Sequence, residues 1–134
     1  MCTPGGGLEP GESTRDGLRR ELREELGLAE PDIGEVVWLR EHTFDWGPRR
    51  IRQREVYHVV RVDRFTPRLL DAVEAEPVVA LRWFAATSLA TIQEEVAPRA
   101  LASIVTGYLR HGPPAAPLDW VVDPLSRPTP PAGA

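Results

Sequence analysis

"GGGLEPGESTRDGLRRELREELGL", residues 5–28, decides how the rest of the chain is read. Its first part is turn chemistry, rich in glycine and proline. From Ser13 onward Leu, Arg and Glu dominate, all good helix formers. Gly27 stands where a left-handed C-cap is wanted, so a helix is expected from about Ser13 to Leu26. Each helical residue advances about 100°, which puts Glu21, Glu24 and Glu25 inside an arc of roughly 100°. Leu18, Leu22 and Leu26 recur every four residues and form an adjoining apolar stripe. That stripe docks the helix on a core, and three carboxylates are expected to converge at its edge. Like charges at these spacings cost some tenths of a kcal/mol each in an isolated helix, roughly 0.2–0.5, so a compensating cation is expected. Carboxylate oxygens with a carbonyl from a glycine turn are the ligands preferred by Mg²⁺ or Mn²⁺. The plain alternative is a solvated helix face, eased by pairs such as Asp16 with Arg20.

The whole composition bounds what such a helix can serve. The chain has 134 residues, 42% of them hydrophobic, enough for one domain with a real core. Net charge is −4 and all 16 basic residues are arginine. With no lysine, Schiff-base chemistry and a P-loop lysine are excluded. A mildly acidic chain also gives no general argument for a nucleic-acid polymer. Cys2 is the single cysteine, so neither an internal disulfide nor a cysteine zinc site can form, and a reducing cytoplasm fits best. No signal-like or membrane-spanning stretch is apparent; Arg82 interrupts the best apolar run, "VVALRWFAA".

Beyond the helix, "EVVWLREHTF" and "IRQREVYHVVRV" read as strands, and the intervening "DWGPRR" supplies the turn of a β-hairpin. "VVALRWFA" reads as a short buried strand, followed by a helix capped by Thr87 or Ser88 and running towards Glu95. "PRALASIVTGYLRHG" reads as an amphipathic helix opened by Pro98, with Leu101, Ile104, Val105 and Leu109 apolar. Residues 1–112 are expected to form the domain. Residues 113–134 are Pro/Ala-rich and expected to be largely disordered.

The punctuation of the opening stretch is more specific than its charge. Gly6, Glu12, Arg20-Glu21-Leu22, Glu24-Glu25 and Gly27-Leu28 follow G-x5-E-x7-R-E-U-x-E-E-x-G-U, with U aliphatic, at every specified position. In this the sequence resembles the Nudix hydrolase family, whose signature this is. The later "LRWFAATSLATI" resembles the end of such a domain more weakly. The resemblance implies an α+β fold, a Nudix-type α/β/α sandwich with a mixed β-sheet. It implies Glu21, Glu24 and Glu25 as metal ligands, helped by the carbonyl of Gly5 or Gly6. Arg20 would orient Glu21, Glu12 would support the turn or the metal shell, and Gly27 would let the helix end tightly.

The implied reaction is hydrolysis of a nucleoside diphosphate linked to another group X, with Mg²⁺ or Mn²⁺ as cofactor. A carboxylate would take the proton of the attacking water. Glu24 or Glu25 is the first candidate; Glu55, Glu74 and Glu76 are others. Arg50, Arg52 and Arg54 alternate onto one strand face, where they would either grip substrate oxygens or lie exposed. Phe44, Trp46 and Tyr57 would stack on a base or pack across strands. His42, His58 and His111 lack metal-ligand spacing and read as hydrogen-bonded or surface residues. Cys2 reads as inert, and Trp83 and Trp120 as packing residues. Only Met1 to Pro4 precede the signature, so the domain is expected to be N-terminally truncated, lacking its first strands. An open sheet edge would then invite homo-oligomer formation. A catalytically silent module binding a nucleotide or a partner, or an inactive fragment, is the alternative, and a plain interaction domain with a charged helix a third.

Overall fold

The computed structural model describes residues 2–66 and 81–122. Helix α1 spans Thr14–Leu26. Ser13 opens it from an extended backbone, its Oγ accepting the Asp16 N–H at 3.1 Å. Gly27 closes it at φ 73°, a left-handed conformation that any side chain would strain. Its N–H returns to the Arg23 carbonyl at 3.0 Å, and that of Leu28 to the Leu22 carbonyl.

The hairpin follows as β1 (Ile33–Trp46) and β2 (Arg49–Val60), turning at Gly47, φ 58°, and Pro48. The ladder runs antiparallel from Trp46↔Arg49 back to Ile33↔Val60, and its register shifts twice, between Ile33 and Val36 and between Val36 and Trp38. Helix α2 (Leu101–His111) follows later in the chain, and β3 (Val121–Val122) pairs in parallel with Arg40 and Glu41 of β1. The strand order β2-β1-β3 makes a mixed three-stranded sheet, and with its helices the fold is α+β. Cys2, exposed, forms an isolated parallel bridge with Ala97.

The core lies where α1 meets the base of the hairpin. Leu22 and Leu26 of the apolar stripe are buried with Ile33, and Leu18, Leu28, Val60, Phe65 and Leu81 pack around them. Fully burying a leucine or isoleucine is worth about 1.5–3 kcal/mol, so this patch is what seats the carboxylate helix on the sheet.

Two expected elements come out differently. In "VVALRWFA", residues 78–80 lie outside the described residues, and Leu81 to Ala85 form no strand. Side-chain ties hold them instead. Arg82 donates to Glu94 at 2.7 Å and stacks 5.1 Å above the Phe84 ring, while Trp83 donates to the Phe65 carbonyl and meets that ring edge-on. The next segment is a 3-10 turn, Ala86–Thr91, entered from Ala85 with no side-chain cap. Thr87 and Ser88 lie within the turn, and Thr91 Oγ1 donates to the Ser88 carbonyl. Helix α2 starts at Leu101, three residues beyond Pro98. Of the C-terminal segment, residues up to Val122 are described and include β3; residues 123–134 lie outside, as do Glu74 and Glu76. Among the described residues no helix is long and apolar enough to cross a membrane.

Candidate active site on the carboxylate helix

Arg20 is the hub of this site. Its Nε and Nη2 donate to the two oxygens of Glu12 at 3.0 and 2.9 Å, Nη2 also to the Gly7 carbonyl at 2.9 Å, and Nη1 to Glu21 Oε1 at 2.9 Å. A planar guanidinium can serve a carboxylate with two parallel bonds and still reach elsewhere, which lysine cannot. One side chain therefore ties the turn before α1 to the carboxylate in its middle. Glu12 also accepts the Glu9 N–H at 3.0 Å. The Arg20 hydrogen bond, then that from Glu9, hold its carboxyl down at about 2, and the same bond to Glu12 raises the guanidinium above its ordinary range. Gly17, buried in mid-helix, lets Leu8 and Glu12 lie against α1, because a side chain there would collide with Leu8.

The turn touches the carboxylate face at two points. A Cβ on Gly6 would overlap the Glu21 carboxylate, and the Gly5 N–H donates to Glu25 Oε2 at 3.2 Å. Glu24 is more exposed, with Arg20 at 3.6 Å. Among the described residues no three acidic, histidine or cysteine groups come together closely enough to hold one ion. The three glutamates share one face of α1, with their carboxylates held apart. The cause is visible in their partners: Glu21 is drawn to Arg20 and Glu25 to Gly5. In chemical kind the donors fit a hard divalent cation, being all oxygen, with a glycine backbone in contact. Open clefts of about 300 Å³ between Leu28–Asp32 and Arg61–Phe65, and of about 430 Å³ between the 3-10 turn and α2, are lined by other residues.

A family model described as the NUDIX domain matches residues 1–104. The chain belongs to the Nudix family. No curated protein and no solved structure matches it. At the level of the family, the Nudix assignment means hydrolysis of nucleoside diphosphate derivatives, generally with a divalent metal such as Mg²⁺ or Mn²⁺.

The hairpin of this Nudix domain carries the other sequence candidates. Arg50, Arg52 and Arg54 stand opposite Asp45, Thr43 and Glu41. Arg50 donates to Asp45 at 3.2 Å and Arg54 to Glu41 at 2.7 Å, and Arg54 also lies 4.8 Å from the centre of the Trp120 ring. The Arg54 hydrogen bond holds Glu41 below the usual carboxylate range. Tyr57 tilts against Trp38 across the hairpin and so takes the cross-strand packing role, Phe44 stacks on His42 of its own strand, and Trp46 is exposed. His111 ends α2.

Glu55 is the centre of a network that sequence reasoning missed. It accepts from Arg40 at 3.2 Å, His42 at 2.9 Å, Gln53 at 3.0 Å and the Tyr57 hydroxyl. A carboxylate offers about four acceptor sites, and here all are taken. Burial pushes its carboxyl upward, yet the Tyr57 bond and the charges of Arg40 and His42 outweigh burial and hold it below the usual range. Burial and the bond to Glu55 push Tyr57 up. The only sequence signal for this network was the alternation that puts residues 53, 55 and 57 on one strand face.

Proposed function

We propose that this chain is a Mg²⁺- or Mn²⁺-dependent hydrolase that cleaves the diphosphate linkage of a nucleoside diphosphate joined to another group X. The observation that carries the reading is the Arg20 hub, which binds the glycine turn and Glu21 into one unit at the centre of the signature. Glu21, Glu24, Glu25 and the Gly6 carbonyl would hold the metal. When bound, it neutralises phosphate charge and makes water a better nucleophile. Arg20 orients Glu21, Glu12 fixes Arg20, and Gly27 ends the helix tightly just after Glu24 and Glu25. Glu24 or Glu25 takes the proton of the attacking water. Glu55, with four donors around it, is a poor base. Water adds to one phosphorus, the bridging oxygen leaves with the other phosphate, and two phosphate-bearing products result.

Arg50, Arg52 and Arg54 are the candidate contacts to substrate oxygens. A substrate there competes with Asp45 and Glu41 for two of them. The same reading takes a small nucleotide-type molecule as substrate, expects neither membrane nor nucleic-acid polymer as partner, and includes cytoplasmic residence and self-association.

The test is turnover of a panel of nucleoside diphosphate derivatives with Mg²⁺ and Mn²⁺, beside Glu24→Gln and Glu25→Gln, with a thermal melt for each. Metal-dependent turnover lost in a folded variant supports the hydrolase. A folded parent chain with no turnover on any member refutes it and favours the second reading, a silent nucleotide- or partner-binding module. That second reading draws on the lack of convergence of the three glutamates.

A further inference from the structure

The start of α1 is held by a joint that the signature does not include. His58 of β2 lies between the helix and β1: its Nε2 is 3.0 Å from Thr14 Oγ1, and its Nδ1 is 3.0 Å from the Gly34 carbonyl. A carbonyl only accepts, so Nδ1 carries a hydrogen and donates to Gly34; in the neutral ring Nε2 then accepts the Thr14 hydroxyl proton. Beside this pair, Arg15 Nη1 donates to the Ile33 carbonyl. Two successive carbonyls of β1 thus serve the first two residues of α1, one directly and one through His58.

Those carbonyls are available because the ladder is irregular there. The register shifts between Ile33 and Val36, and Gly34 lies so close to β2 that a Cβ would stand 2.5 Å from the Val59 carbonyl oxygen. Bulges of this kind re-aim groups out of a ladder and recur beside active sites. The rest of the helix is seated by Leu22 and Leu26, and apolar packing is non-directional. It selects which face of α1 meets the sheet and leaves the finer setting of its rotation to directional contacts. Hydrogen bonds at 3.0 Å with fixed acceptors are directional and supply that missing constraint. Glu21 is seven residues beyond Thr14, about two turns or roughly 10 Å along the same rigid helix. Rotation at the joint therefore moves the carboxylates.

We propose that His58 is a positioning residue for diphosphate hydrolysis: through Thr14 and Gly34 it sets the rotation of the carboxylate helix on the hairpin. The proposal rests on the hydrolase reading above.

Its test compares Thr14→Val, Thr14→Ser, His58→Ala and the Thr14→Val/His58→Ala double variant. The readouts are kcat and KM, Mn²⁺ affinity by electron paramagnetic resonance, and a thermal melt. Thr14→Val keeps the branched shape and loses only the hydroxyl, whereas Thr14→Ser keeps the hydroxyl. The expected result is a fall in kcat of about tenfold in Thr14→Val and in His58→Ala, with KM within about twofold and Mn²⁺ affinity weakened about tenfold. The double variant is no worse than the stronger single one, and Thr14→Ser behaves as the parent. Unchanged kcat and Mn²⁺ affinity in both single variants, or losses that multiply in the double, overturn the proposal. So do losses that only track the unfolded fraction seen in the melt. A parent chain that binds Mn²⁺ and turns over nothing defeats the hydrolase reading, and with it the kinetic role of His58; the Mn²⁺ affinities then decide whether the joint still sets the carboxylates.

Discussion

Gly6 and Arg20 show how little freedom single residues have at this site. Any side chain on Gly6 must displace the Glu21 carboxylate, which is the far end of a flexible side chain, so the fold can accept the change and the carboxylate cannot keep its place. Gly6→Ala is therefore expected to leave the melting free energy within about 1 kcal/mol. Mn²⁺ affinity should fall by about tenfold or more. Calorimetric Mn²⁺ titration beside a denaturant melt separates the two effects, and an unimpaired affinity would show that the turn and Glu21 do not act together. Arg20→Lys makes the converse point, since one ammonium cannot reproduce bonds to Glu12, Gly7 and Glu21 at once.

At the scale of elements, α1 and the hairpin have different sensitivities. Gly27→Ala puts a Cβ on a left-handed residue and should destabilise the chain by about 1 kcal/mol, a fall in Tm of about 4 °C, with the carboxylates untouched. Glu55→Ala removes one acceptor shared by Arg40, His42, Gln53 and Tyr57 and should cost about 3 kcal/mol. A Glu55→Ala chain that melts like the parent but has lost turnover would make Glu55 a base after all. The helix, its C-cap and the hairpin turn were legible in the sequence because their signals are local: Gly27, Gly47 and Pro48 each act within a few residues. The region from Leu81 to Thr91 was not, because its apolar run carries no record of where Arg82 and Trp83 find Glu94 and Phe65. The His58 joint was equally silent, its partners lying 44 and 24 positions away. The signature picked out the carboxylate helix, but periodicity fixes Cα–Cβ directions and not where long glutamate side chains end. Arg20 and the Gly5 N–H decided that.

Across the whole molecule, the held-down carboxylates set how the fold responds to acid. Glu12, Glu41 and Glu55 all lie below their ordinary range, through Arg20, Arg54, and Tyr57 with Arg40 and His42 respectively. When the unfolded chain binds more protons than the native one, stability rises with pH. For Glu12 the contribution is fully present above the ordinary value of 4.5 and is lost as pH falls from there through about 2. Glu41 and Glu55 act in the same direction over the lower part of the carboxylate range. The stability of the parent chain is thus expected to be flat in these groups from pH 7 down to about 5 and to fall steeply below 4.5. Denaturant melts at pH 7, 5, 4 and 3 measure this slope. Glu12→Gln, which cannot ionise, should be less stable than the parent at pH 7 and should converge towards it at pH 3, because the unfolded parent chain then takes up a proton at Glu12 that the native carboxylate does not. A gap between the two chains that stays constant from pH 7 to pH 3 would mean that the Glu12 to Arg20 pair holds the turn by shape alone and that its charge adds nothing to the fold.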